Sequence, residues 1–190
     1  MQKPASYTFD ETTFSVQDPE LQIFFSEPSS SCSITTTMRD DGTLMLKSSY
    51  LEGKLHGPSF AYFSDGVCAA ERWFYNGLCH GRSLEYTSSG TLLSQRGYVK
   101  GRLSGRYLRW YPNGVLQLSG MFVDGLPEGL FELFHTDGAI IRTTKFTKGR
   151  RDGVDIGWTD DGFLLFCEIW KEGARQRTLL DDIMARGLGM

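Results

Sequence analysis

The chain is poor in the side chains on which most enzymes and metal sites depend. Only three histidines occur in 190 residues, His56, His80 and His135, so a nucleophile, base and orienting group have little material to draw on. The four cysteines, Cys32, Cys68, Cys79 and Cys167, are scattered without a CxxC pair, which argues against a disulfide framework and for reduced thiols in the cytoplasm. No apolar run approaches the length that crosses a bilayer as a helix. Basic charge is not in excess either: the formal net charge is -3, which gives no general drive toward phosphate backbones, and no nucleic-acid partner is expected. The opening MQKPASYTFDE has neither the charged and apolar regions of a secretory signal nor an Arg-rich amphipathic segment, and a cytoplasmic location is expected.

What is abundant is glycine, together with enough apolar (40%) and aromatic (13%) residues to bury a core within one domain. Seventeen of the 22 glycines fall in three series with a constant step of 24 residues. The first runs from Gly42 to Gly162, the second from Gly53 to Gly173 and the third from Gly57 to Gly153. A fixed period of this size marks a repeat architecture, in which each unit buries its core against its neighbours.

The first series is preceded mostly by Asp or Asn, as in Asp65-Gly66 and Asn113-Gly114, which predicts tight two-residue hairpin turns. The other two make Gly-x-x-x-Gly connections such as Gly77 to Gly81, which predict longer hairpin loops. Strand-length segments lie between, giving two antiparallel strands per repeat. Period-two alternation places Phe60, Leu84, Leu108, Glu132 and Ile156, with Tyr62, Tyr86, Trp110, Phe134 and Trp158, in core columns. On the longer strands, Cys68, Leu92, Leu116, Ile140 and Leu164 form another such column, and Phe74, Tyr98, Phe122, Phe146 and Trp170 a further one. The expected fold is all-β, an elongated and twisted single antiparallel sheet of 24-residue hairpins.

The pattern Tyr62-x-x-Asp65-Gly66 followed by Trp73-Phe74-x-x-Gly77-x-x-x-Gly81, recurring with variations, resembles the MORN repeat, in the variant form of bacterial YwqK-type antitoxins. The resemblance spans residues 38–173, five to six repeats. It implies a non-enzymatic interaction module whose partner is another protein, such as a toxin or effector, and in some members a link to membrane lipid. Ser89-Gly90 in place of Asp-Gly, Glu132 within an apolar column, and Ala70, Ser94 and Arg142 in another depart from the pattern.

The ends do not repeat. Residues 1–37 read as a capping segment with short strands at Tyr7–Phe9 and Leu21–Phe25 and a loop from Pro28 to Ser33, or as a docking arm. Residues 174–190 read as a short helix beginning near Leu179, with Thr178 and Asp181 as a capping box, and a tail.

Chemistry finds little purchase. His56 and His80 occupy one register about 10 Å apart, two strands, too far to share a metal directly. No Gly-Lys-Ser/Thr follows the Gly-x-x-x-Gly segments, so they do not read as phosphate loops. Neither a catalytic residue, nor a metal, nor a cofactor is expected. For binding, the face opposite the core columns is aromatic in the middle of the array, where Tyr107, Arg109 and Tyr111 lie beside Phe131, Leu133 and His135, a composition suited to an interface hot spot. The alternative is a peripheral membrane module in which Lys100, Arg102, Lys148, Arg150 and Arg151 meet anionic phospholipid.

Overall fold

The computed structural model describes residues 9–10, 13–14, 32–176 and Asp181. Phe9–Asp10 (β1) and Thr13–Phe14 (β2) pair as a two-stranded piece. The other strands are Ser33–Met38 (β3), Leu44–Leu51 (β4), Lys54–Tyr62 (β5), Cys68–Tyr75 (β6), Leu78–Tyr86 (β7), Leu92–Val99 (β8), Arg102–Trp110 (β9), Leu116–Val123 (β10), Leu126–Phe134 (β11), Ile140–Thr147 (β12), Arg150–Trp158 (β13), Leu164–Lys171 (β14) and Ala174–Gln176 (β15). They form one open antiparallel sheet of 13 strands in chain order. The expected strand at Leu21–Phe25 lies outside the described residues. So does the C-terminal helix apart from Asp181, which is helical. Ser33, placed in a loop by sequence, opens β3.

The two kinds of hairpin connection are exchanged relative to the sequence expectation. The Gly-x-x-x-Gly segments are tight: Val123 pairs with Leu126, leaving Asp124-Gly125 as a two-residue turn with φ of 50° and 83°. Positive φ at both central residues is the mirror-image turn that matches strand twist. The second glycine of the segment therefore lies inside the next strand, near a register shift such as that between Ser119 and Met121. The Asp-Gly and Asn-Gly connections are the longer ones. Tyr111 and Val115 close a three-residue loop, with Tyr111 N–H donating to the Val115 carbonyl at 2.8 Å and only Gly114 left-handed. Asp or Asn is favoured there for its side chain: Asn113 Oδ1 accepts from Val115 N–H at 3.1 Å, and Asp65 and Asp137 do the same for Val67 and Ala139.

The contacts divide the described chain into two compact units, one comprising residues up to Gly90 with Tyr98–Gly101, the other Thr91–Gly97 with the residues from Arg102 onward. In the first unit, Phe60 lies opposite Glu71, which lies opposite Leu84, and Pro58 lies opposite Trp73. Directly opposed residues share a sheet face, so Phe60, Leu84, Pro58 and Trp73 make a buried apolar cluster around the Glu71 carboxylate, with Trp73 only 3% exposed. The other face mixes small and large groups: the Ser48 and Ser59 hydroxyls bond at 2.7 Å, Ala61 faces Ala70, Arg72 lies opposite Ser59 and reaches Glu85 at 3.4 Å, and Phe74, expected in a core column, falls here opposite Gly57.

In the second unit one face carries the row Leu108, Ser119, Glu132, Thr143, Ile156 and Cys167, each opposite the next. The other carries the row Arg109, Leu118, Leu133, Arg142, Gly157 and Phe166. Here the expected core columns divide. Leu116 pairs with Trp110, but the register shifts before Leu118, and Phe122 pairs with Gly105. Phe146 likewise pairs with Gly129 and Trp170 with Gly153. One extra residue reverses the facing of every residue after it, so these three rings join the face of Tyr107 and Phe131 that the alternation had placed opposite them.

Candidate functional site

The second face of the second unit is built around rings set against glycines. Tyr107 on β9 and Phe131 on β11 flank β10, where Gly120 lies opposite Tyr107. A Cβ at Gly120 would come within 2.4 Å of the Phe131 ring, so that ring lies flat over the backbone because no side chain occupies the position. Phe122 meets Tyr107 edge-on at 5.7 Å between centroids and Phe131 at 5.5 Å, and Phe131 meets Phe146 at 5.1 Å. Four rings thus make a continuous edge-to-face file across β9 to β12, and each lies within the separation at which aromatic pairs attract. The Arg96 guanidinium caps the Tyr107 end at 5.6 Å.

Beyond Phe146 the file gives way to charge. Asp155 on β13 is 1% exposed. Its Oδ1 accepts from Arg142 Nε at 2.9 Å and from the Thr144 hydroxyl at 3.0 Å, and its Oδ2 accepts from Arg142 Nη2 at 2.7 Å with Arg151 Nη1 at 3.3 Å. Burial pushes this carboxyl upward, but the bonds from Arg142 and Thr144 and the charges of Arg142 and Arg151 outweigh it, and the group stays below the usual carboxylate range. Each arginine also lies over a ring, Arg142 on Phe166 at 5.3 Å and Arg151 on Trp170 at 4.7 Å. Between the rings and the guanidiniums is an open cavity of about 220 Å³ whose lining includes Leu118, Phe131, Leu133, Phe146, Arg142 and Arg151.

Of the residues singled out for protein binding, Tyr107, Arg109, Phe131 and Leu133 stand on this face. Tyr111 and His135 do not extend the file; both close turns. The Tyr111 hydroxyl donates to the Phe134 carbonyl at 3.0 Å, while His135 N–H donates to Ala139 and its Nδ1 lies 3.3 Å from Asp137. Among the basic residues, Lys148 and Arg150 are exposed at one hairpin, with Glu128 accepting from Lys148 N–H at 2.7 Å, whereas Arg151 is turned onto Asp155. Lys100 and Arg102 are exposed in the turn between β8 and β9 and at the start of β9.

The Arg142–Asp155 pair escaped sequence reasoning although a signal was there. Arg142 stands 24 residues after Leu118 in an otherwise apolar or small series, and Asp155 stands 24 residues after Phe131. Two departures of opposite charge on adjacent strands are the mark of a compensated ion pair.

The first unit has its own polar cluster on the buried face. Glu71 accepts from Trp73 Nε1 at 2.8 Å and from Arg82 Nη2 at 3.1 Å, and burial, helped by Glu71 and Cys68, pushes Tyr86 up to about 12, so its hydroxyl stays protonated. The Tyr75 ring lies between His56 and His80, at 5.0 and 6.0 Å. His80 is 4% exposed, its Nδ1 accepts from Lys100 N–H at 3.3 Å, and burial holds it below the ordinary histidine pKa, with Lys100 adding to the effect. Among the described residues no three His, Cys, Asp or Glu side chains are grouped to hold a metal ion, and no helix is long and apolar enough to cross a membrane. No protein-family model matches the chain, and no curated protein matches it.

Proposed function

We propose that this chain is a non-enzymatic scaffold of the variant MORN type, cytoplasmic, which binds another protein through the aromatic face of its second unit. Its 24-residue unit is the hairpin pair: strands begin at Leu44, Cys68, Leu92, Leu116, Ile140 and Leu164, and their partners at Lys54, Leu78, Arg102, Leu126 and Arg150. This spacing supports reading the Asx-glycine and Gly-x-x-x-Gly segments as one repeating device. The observation that carries the binding function is the file of Tyr107, Phe122, Phe131 and Phe146, rings half-buried and left partly open by the described residues, with exposed Arg109 beside them. Rigid rings with a neighbouring guanidinium supply contact area at small entropic cost, together with directed hydrogen bonds. A toxin or effector is the partner class that the family resemblance suggests. The phospholipid alternative is weakened by Arg151, whose guanidinium is drawn onto Asp155 and Trp170 on the aromatic face and so does not join Lys148 and Arg150 in a basic stripe at the hairpin.

The test is photo-crosslinking in native extract from a benzoylphenylalanine placed at Arg109, with a second at Leu130, which the register puts on the opposite face. One discrete crosslinked protein from position 109, lost when Tyr107 is changed to Ser in a variant confirmed to be folded, is expected. Crosslinking from position 130 alone, or uptake on liposomes of anionic phospholipid that Tyr107→Ser leaves unchanged, would overturn the reading.

A further inference from the structure

The Asp155 carboxylate is closely surrounded by cations. An ionised carboxylate offers about four acceptor positions; two hydrogen bonds from Arg142 and one from Thr144 occupy three of them, and the Arg151 guanidinium stands against Oδ2 as an ion pair at 3.3 Å. Two guanidiniums carry about ten N–H groups between them, and only three of their nitrogens are engaged by Asp155. Both arginine side chains remain 37% exposed, and both line the cavity. Asp155 therefore fixes two cations in place without exhausting their donors, and the rings of Phe166 and Trp170 beneath them restrict their movement further. The apolar part of the lining is Leu118, Leu133, Phe131 and Phe146, and Thr144, also in the lining, gives its hydroxyl to Asp155. Glu132 also borders the cavity, but it lies opposite Thr143, in the register of the other face.

We propose that this cavity receives an acidic side chain and its apolar neighbour from the partner polypeptide, the carboxylate on the outward donors of Arg142 and Arg151 and the apolar group against Phe131 and Phe146. The assignment rests on the scaffold reading above and names what that face recognises. The volume, about 220 Å³, is below the roughly 300–1,000 Å³ of small-molecule pockets and suits one or two side chains. Charge complementarity decides the sign of the ligand. Glu168, opposite Asp155 on this face, is bonded to Arg175 and Trp170 Nε1, so the guanidinium pair held by Asp155 keeps a positive balance, accepts a second carboxylate at little further ordering cost and repels a cation.

The experiment is an NMR titration of the full chain, reading the Nε–H signals of Arg142 and Arg151. The probes are the capped peptide Ala-Ala-Glu-Phe-Ala-Ala, its Gln-for-Glu and Ala-for-Phe counterparts, and acetate. The Glu-Phe peptide is expected to shift both signals and to bind at least tenfold more tightly than either counterpart. Arg151→Gln, which leaves the Arg142–Asp155 pair in place, should abolish the preference for Glu over Gln. Equal binding of the Glu and Gln peptides, absence of shifts at millimolar peptide, or acetate matching the peptide at equal concentration would each overturn the proposal. The crosslink from position 109 separates the two failures: if it survives Arg151→Gln while the peptides fail, the scaffold stands and the pocket falls, and if it never forms, the scaffold falls on its own test.

Discussion

The Arg142 guanidinium grips the Asp155 carboxylate side-on across β12 and β13, Nε to Oδ1 at 2.9 Å and Nη2 to Oδ2 at 2.7 Å, with the acid almost wholly withdrawn from water. Removing one member of such a pair strands the other. Arg142→Met, which leaves the buried Asp155 carboxylate without its main partner, is expected to destabilise by about 3–5 kcal/mol, while Arg142→Met with Asp155→Leu loses much less than the sum of those two single changes. Urea unfolding of the four proteins measures the coupling, and additive losses would contradict it. Because the folded carboxyl lies below its unfolded value, this stabilisation is present above the unfolded pKa, near 3.8, and is lost as pH falls through the folded one.

Gly120 is silent in the sequence but crowded in the fold. Ala at this position must displace the Phe131 ring, which Phe122 and Phe146 already hold from two sides. A loss of about 1–3 kcal/mol is expected, shrinking in a Phe131→Ala background where the obstruction is gone. Gly97→Ala should cost more, since its Cβ would fall 2.2 Å from the Ser104 carbonyl oxygen, and backbone cannot rotate aside. Thermal melts rank the three, and a milder Gly97→Ala would count against the packing described.

His80 ties the first unit to pH. Its folded pKa lies below the unfolded value near 6.5, so the unfolded chain takes up the proton first. Stability is full above pH 6.5 and declines as pH drops through that value toward the folded pKa, at no more than about 1.4 kcal/mol per pH unit. Denaturation at pH 7.5 and 5.5 should show a fall in wild type that His80→Gln reduces; an equal fall in both would exclude His80 as its source.

The hairpin turns make opposite demands on substitution. Gly125→Ala places a side chain in a left-handed turn and is expected to cost about 1–2 kcal/mol. Asp124→Asn, which keeps a residue tolerant of positive φ, should be nearly neutral. Asn113→Ala forfeits the bonds from Val115 N–H and to the Thr136 carbonyl, for about 1 kcal/mol. Equilibrium unfolding of these single variants checks the order.

The alternation of apolar residues was enough to read an all-β sheet of hairpins, because strand length and turn chemistry are local properties. Which turn is tight was not legible: Asn-Gly suits both a two-residue turn and a three-residue loop with one left-handed glycine, and the choice depends on where the flanking strands pair. The same ambiguity misplaced Phe122, since a register shift costs one residue and leaves no compositional trace. Tyr107 and Phe131 were placed on one face by alternation, and the register keeps them together, whereas Arg142 and Asp155 looked like separate irregularities until pairing set them side by side.

The two margins of the sheet are held by different kinds of bond. Along one, the tight turns at Gly77, Gly101, Gly125, Gly149 and Gly173 give the glycine N–H to the backbone of the preceding hairpin, as Gly125 does to Leu103 at 2.7 Å and Gly149 to Pro127 at 3.0 Å. Along the other, side chains make the link: Tyr111 to Phe134 and Asn113 to Thr136 in the second unit, and Arg39 to Tyr62 in the first. The first margin keeps its spacing through almost any mutation that spares glycine. The second is written in replaceable letters, so a change of side chain can splay or draw together neighbouring hairpins there while the opposite margin stays in step.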